Sequence, residues 1–284
     1  MEIKTIGVIG AGQMGHGIAQ VAASKGFSVI LHDIDLSLVE KGKEKIAAIL
    51  ARLVAKERIT EGEKREIEGR IRGVTALSDM VDADFVVEAA TENAGIKLDI
   101  FRTLDEVCRP GVILASNTSS ISITRLAAAT KRPERVIGMH FMNPVPVMKL
   151  VEVVTGLPTS EETRSTVEDL ARRLGKEPRH AKDFPGFVIN RILMPMINEA
   201  IFALQEGVGS AQDIDDIMRM GANHPMGPLA LADLIGLDTC LAILEVLHEG
   251  FGDPKFRPCP LLRNYVAAGW LGRKTGRGFF TYTS

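Results

Sequence analysis

The sequence predicts an α/β protein in two parts: a doubly wound, mostly parallel sheet with a helical hairpin insertion, followed by a smaller all-α domain. Three observations predict it. Short β-branched runs alternate with amphipathic segments as far as Asp183, the pattern of βαβ units. A long, charged helical stretch from Leu36 to about Arg70 breaks that rhythm. After Asp183-Phe-Pro-Gly186 the strand signals stop. The expected domains are therefore residues 1–183, with the hairpin at about 36–70, and residues 184–284.

Taken in order, the strand candidates are Thr5–Ile9, Ser28–His32, Ile71–Leu77, Phe85–Glu88, Val112–Ala115, Val136–His140 and Lys149–Val154. Helices are expected between them, among them Ile18–Ser24, stopped by Gly26, Ile123–Ala129, and Ser160–Leu174, opened by a serine cap and ended at Gly175. In the hairpin, Ile46, Ile49, Leu50, Leu53 and Val54 form an apolar stripe. Thr60-Glu-Gly-Glu63 then reads as a capping box opening its second helix. The second domain should hold helices at Phe187–Gln205, Ala211–Met220, Pro228–His248 and Leu261–Ala268. Helices this apolar on so small a domain would expose a large patch, which predicts a homodimer through this region.

Composition excludes several classes. With 45% hydrophobic and 25% charged residues over 284 positions, the chain has the make-up of a globular protein and the length to divide its core. Its 34 basic and 36 acidic residues are mixed and leave a formal charge of −2, so no field favours nucleic acid or an anionic membrane. Cys108, Cys240 and Cys259 are an odd set without metal-like spacing, which argues against disulfides and against a metal site. Met1-Glu-Ile-Lys leads into a strand rather than a signal peptide, and no apolar run approaches the roughly 20 residues that span a bilayer. A cytoplasmic protein is expected.

The chemistry begins at Gly10-Ala-Gly12-Gln-Met-Gly15, a G-x-G-x-x-G directly after a strand and before a helix. Gly10 permits the tight turn, Gly12 lets the backbone approach a pyrophosphate, and Gly15 lets helix and strand pack closely. Asp33 ends the second strand about 20 residues further on, where a ribose-binding acid belongs. Motif, context and spacing together mark a Rossmann-like dinucleotide site, against the blander reading of a structural turn and a surface aspartate. A 2′-phosphate near Asp33 would be repelled, and Ile34 and Asp35 supply no arginine to relieve it. NAD is favoured over NADP.

His140 stands at the carboxyl end of a strand, the edge where ligands bind in open α/β sheets. On the next strand Glu152 interrupts the apolar run Leu150-Val-Glu-Val-Val154. An unpaired carboxylate there would be costly, so Glu152 needs a partner. Two readings stay open. The two residues form a general base, or a core histidine bonds a backbone carbonyl while the glutamate meets an arginine. Ser119, in Asn117-Thr-Ser-Ser120, arrives at the same edge and could bond a substrate oxygen or cap a helix. Asn190, just past Pro185-Gly186, reads as a cleft residue or as a surface asparagine.

Over nearly its whole length the chain resembles the NAD-dependent L-3-hydroxyacyl-CoA dehydrogenases, most closely the stand-alone bacterial 3-hydroxybutyryl-CoA dehydrogenases. The resemblance rests on Gly10–Gly15, Glu88-Ala-Ala-Thr-Glu92, Ser116-Asn-Thr-Ser-Ser120, His140-Phe-Met-Asn-Pro-Val-Pro-Val-Met-Lys-Leu-Val-Glu152, Asp183-Phe-Pro-Gly-Phe-Val-Ile-Asn-Arg191, His224-Pro-Met-Gly-Pro228 and Gly272-Arg-Lys-Thr-Gly-Arg-Gly-Phe279. It implies that His140 takes the proton of the 3-hydroxyl while hydride passes to the nicotinamide, with Glu152 orienting it. It also implies that Ser119 and Asn190 bind substrate oxygens. Cofactor roles fall to Asp33, Glu92, Lys97, Asn117 and Asn143, with Gln13 and Met14 of the glycine-rich loop. The hairpin would meet the nucleotide end of coenzyme A, with Arg52 and Lys56 as candidates for its phosphates or simply as a solvated helix face. The pair Phe141-Met142 departs from the two phenylalanines common in the family, a change of packing rather than of chemistry.

The implied activity is reversible oxidation of a 3-hydroxyacyl-CoA in fatty acid or butanoate metabolism. The compact, single-function chain suggests the four-carbon substrate. Two alternatives are a dehydrogenase of a free hydroxy or sugar acid and a catalytically silent NAD-binding protein. Coenzyme A dependence separates the first, and the retained His140 and Glu152 argue against the second.

Overall fold

The structure, a computed structural model, describes residues 2–282. It divides into two compact units, one ending at Asp183 and the other beginning at Phe184. The first is a mostly parallel eight-stranded sheet with helices, and the second is helical.

In chain order the first unit runs β1 (Thr5–Ile9), α1 (Gln13–Ser24), β2 (Ser28–His32), α2 (Leu36–Ala55), α3 (Glu61–Gly69) and β3 (Ile71–Val74). It continues with β4 (Phe85–Glu88), α4 (Ala94–Val107), β5 (Ile113–Ser116), α5 (Ile123–Ala127), β6 (Val136–Phe141), β7 (Leu150–Thr155), α6 (Glu161–Arg173) and β8 (Glu177–Lys182). The sheet order is β3-β2-β1-β4-β5-β6-β7-β8. Every pairing is parallel except β6 with β7. The central strands β4, β5 and β6 are buried at every residue, as expected of strands covered on both faces.

Local chemistry sets the helix ends. Asp35 opens α2 by accepting the Ser37 N–H, and Thr60 and Glu63 close a reciprocal capping box on α3. Ser160 caps α6 through the Thr163 N–H. Asp183 reaches back to α5, accepting from the Ser122 hydroxyl at 2.7 Å and from the Ile123 and Thr124 N–H groups.

The second unit holds α7 (Ile189–Gln205), α8 (Ala211–Gly221), α9 (Pro228–Ile235), α10 (Leu237–Phe251) and α11 (Pro260–Ala267) around a core that includes Met194, Ile197, Leu229, Leu244 and Leu262. Asp233, 1% exposed, fastens the terminal segment by accepting from the Phe279 and Phe280 N–H groups and the Tyr282 hydroxyl.

Several expectations need correction. The expected strand Ile71–Leu77 ends at Val74, and residues 77–82 coil into a 3-10 helix. The first helix begins at Gln13, directly on the glycine loop, not at Ile18. The expected helix Pro228–His248 is two, broken at Gly236, whose φ of +103° no helix accommodates. An unexpected strand, β8, pairs with β7 at the sheet edge, where its polar residues need no apolar alternation.

Candidate active site

The carboxyl edge of β1 and β2 forms a cradle. Gly10 turns at φ +94°, and a Cβ on Gly15 would stand 1.7 Å from the Gly10 carbonyl oxygen, so both must be glycine. Around Gly12, by contrast, such a Cβ would meet nothing within 4 Å. Gln13 and Met14 form the first turn of α1, which has neither a side-chain cap nor an acid. Its first N–H groups therefore remain for an anion. The Asp33 carboxylate accepts the Ala11 N–H at 2.8 Å and the Ile34 N–H at 2.8 Å, which ties the end of β2 to the glycine loop. An open glycine, an uncapped helix start and an anchored carboxylate fit the pyrophosphate and ribose of a dinucleotide.

On the antiparallel pair β6 and β7, His140 lies directly opposite Glu152. The imidazole Nδ1 and the carboxylate Oε2 are 2.8 Å apart, and the two side chains are 10% and 5% exposed. An ionised carboxylate can only accept, so Nδ1 carries the proton of this bond. In that tautomer Nε2 is the ring nitrogen that carries the lone pair. The end of β6 is itself pinned, since Asn117 Oδ1 accepts the Phe141 N–H at 2.9 Å. Asn117 in turn donates its own N–H to the Glu88 carbonyl at 2.7 Å.

A second buried carboxylate lies on β4. Glu88 is fully buried and Lys97 of α4 is 1% exposed, with Nζ and Oε1 2.6 Å apart. The other Glu88 oxygen accepts the Ser116 hydroxyl at 2.6 Å, and Oε1 also accepts the Ala90 N–H. Lys97 reaches Glu92 at 3.4 Å as well. Glu92 gathers the turn after β5, accepting from the Thr118 hydroxyl at 2.5 Å, the Ser119 N–H at 2.9 Å and the Ser120 N–H at 3.1 Å. Burial works to raise the Glu92 pKa, but the Lys97 ammonium and these hydrogen bonds hold it below the usual carboxylate range. Ser119 is thus placed by a carboxylate that is itself placed by a buried ion pair.

Asn143 is exposed on the loop after β6, and Arg52 and Lys56 are exposed at the carboxyl end of α2. Asn190, 8% exposed, belongs to the second unit, in the first turn of α7. Sequence reasoning passed over Glu88, Ser116 and Thr118 as separate participants. Glu88 carries the signal that singled out Glu152, a carboxylate in an apolar strand, but it sits last in its run, where a charge reads as facing solvent. Among the described residues no group of three metal-ligating side chains gathers, and no helix is long and apolar enough to cross a membrane.

Comparison with known proteins gives the family. The family description "3-hydroxyacyl-CoA dehydrogenase, NAD binding domain" matches residues 5–184, and "3-hydroxyacyl-CoA dehydrogenase, C-terminal domain" matches residues 186–282. A probable 3-hydroxybutyryl-CoA dehydrogenase of Bacillus subtilis is 58% identical over 282 residues, covering 99% of this chain and 98% of that one. A 3-hydroxybutyryl-CoA dehydrogenase of Bradyrhizobium diazoefficiens is 56% identical, covering 99% and 96%. The crystal structure of (S)-3-hydroxybutyryl-CoA dehydrogenase from Ralstonia eutropha superposes with a TM-score of 0.96 at 54% identity, covering all of both chains. With both family descriptions matched in order along its length, the chain belongs to the 3-hydroxyacyl-CoA dehydrogenases, and its first unit is their NAD-binding domain.

Proposed function

We propose that the protein interconverts (S)-3-hydroxybutyryl-CoA and acetoacetyl-CoA, with residues 1–183 as the NAD-binding domain and residues 184–284 as a substrate and dimerisation domain. The observation that carries this reading is the buried contact between His140 Nδ1 and Glu152 Oε2 at the carboxyl end of β6. When bound, NAD supplies the acceptor for the hydride that leaves C3 of the substrate. His140 takes the hydroxyl proton at Nε2 as the C3–H bond breaks and C3 becomes a carbonyl. Glu152 keeps the tautomer fixed and stabilises the imidazolium that forms. In the reduction, that imidazolium returns its proton to the oxygen. Ser119 and Asn190 hold the substrate oxygens and fix the reacting geometry.

Gly10, Gly12, Gly15 and the start of α1 take the pyrophosphate, and Asp33 takes the ribose and disfavours NADP. Asn143, three residues past the base, serves the nicotinamide end. Arg52 and Lys56 meet the coenzyme A phosphates. Exposed Ile192, Val208, Ile217 and Met220 support a homodimer through the second unit, in the cytoplasm.

Loss of NADH absorbance on adding acetoacetyl-CoA tests the reading. Turnover with NADH should far exceed that with NADPH, and free acetoacetate should be a poor substrate. Equal rates with acetoacetate would move the protein to the free-acid dehydrogenases, and no turnover with either would leave a silent NAD-binding protein.

A further inference from the structure

The loop joining β6 to β7 carries Asn143 away from His140 and brings the chain back to Glu152. Loops of this kind are mobile by default. This one is gripped from two sides.

On one side is α1, the helix that opens on the glycine loop. A Cβ added to its Gly17 would stand 2.9 Å from Val145 Cβ and 3.7 Å from Pro146 Cδ, so glycine is what lets helix and loop touch. Val145 is 1% exposed. On the other side is Lys176, in the turn between α6 and β8, a lysine only 7% exposed. Its ammonium donates to the carbonyl oxygens of Val145 and, at 2.8 Å, of Met148. Burial and the charge of Lys25 push its pKa down, so the protein holds a cation here against an electrostatic cost. Charge-assisted bonds to two carbonyls offset that cost and fix the path of the main chain at both points.

We propose that Lys176 is a positioning residue for the reaction: with Gly17 packed against the Val145 side chain, its ammonium fixes residues 143–148 so that Asn143 stays against the nicotinamide half of the cofactor. The proposal rests on the reading of Asn143 as a cofactor contact. Lys176 touches no reacting atom in it. It raises the fraction of molecules whose loop is already in place, and a ligand's apparent affinity scales with that fraction.

The test compares NADH with ADP-ribose, which has the pyrophosphate and the adenosine but no nicotinamide. Lys176→Met should weaken NADH binding roughly tenfold if the competent loop population falls to about a tenth, and should leave ADP-ribose unchanged. Lys176→Arg, which keeps a cationic donor, should recover most of the loss. Gly17→Ala pushes on the Val145 side chain and should show the same selectivity, which keeps the test alive if Lys176→Met does not fold. Asn143→Ala reports on the underlying reading and should also lose NADH selectively. If it does while Lys176→Met and Gly17→Ala bind both ligands as the parent does, the clamp is refuted and the Asn143 reading stands. Equal weakening of both ligands in Lys176→Met makes the lysine a general support and overturns the positioning role. An Asn143→Ala protein with unaltered NADH affinity removes the basis of the proposal altogether.

Discussion

Strands β7 and β4 of the same sheet each bury a carboxylate, and the two put it to different use. Glu152 meets an imidazole across the β6–β7 pair, while Glu88 meets the ammonium of Lys97. Both pairs are nearly dry, so burial does not distinguish them. The partner does. Imidazole is the side-chain type that gains and loses a proton near neutral pH, whereas an ammonium beside a carboxylate stays charged and static. On the proposed reading one buried acid serves proton transfer, while the other is a fixed post that holds Ser116 and Lys97, with Glu92 reached through Lys97.

The largest effect expected from this contrast is on turnover. His140→Ala should cut the rate of acetoacetyl-CoA reduction by about 10²–10⁴-fold while NADH affinity, measured by titration, stays near the parent's. Glu152→Gln should fall at the lower end of that range, since the base remains but its orientation and the stabilisation of its charged form are weakened. A loss below tenfold in His140→Ala would mean that the pair is scaffold too, and the contrast would vanish.

Glu88→Leu should behave the opposite way. It leaves the buried Lys97 ammonium with only the more distant Glu92 as an acid partner, and breaking such a buried pair costs about 3–5 kcal/mol, read as a shift of the urea midpoint. The double variant Glu88→Leu/Lys97→Met should recover most of that stability, because an apolar pair of similar volume replaces a buried ion pair at little net cost. If the single variant is as stable as the parent, Glu88 is not the post that its hydrogen bonds make it.

How far the sequence could be read follows the same physics. Strands such as Phe85–Glu88 and Val136–Phe141 were legible because double coverage demands continuous apolar runs. Strand β8, Glu177-Pro-Arg-His-Ala-Lys182, was not, because an edge strand half open to water carries no such demand. Glu152 stood out because apolar residues flank it on both sides, while Glu88 closes its run and resembles an ordinary strand end. Lys97 was beyond periodicity, since a lysine in an amphipathic helix reads as a solvent-facing residue until a buried carboxylate is found beside it. It entered through family resemblance alone, and that did not foretell its bond to Glu88. Lys176 gave no sign for a related reason: its acceptors are main-chain carbonyls, which no residue pattern records.

Glu92 joins the two regimes and sharpens the contrast most finely. Its side chain is 39% exposed, it lies 3.4 Å from Lys97, and it organises the turn bearing Ser119. Partial exposure screens the charge, so Glu92→Gln should cost under about 1 kcal/mol of stability at neutral pH. KM for acetoacetyl-CoA should rise a few-fold as the Ser119 turn loosens. The pH dependence has a definite sign. Because the folded pKa is held below the ordinary value, the carboxylate's contribution is complete above the unfolded pKa of about 4.3 and is lost as the pH falls through the folded value. Denaturant midpoints of parent and Glu92→Gln should therefore stay apart at neutral pH and converge in acid. Midpoints that stay equally far apart at every pH would show that Glu92 acts through shape and not through charge, placing it with neither buried acid.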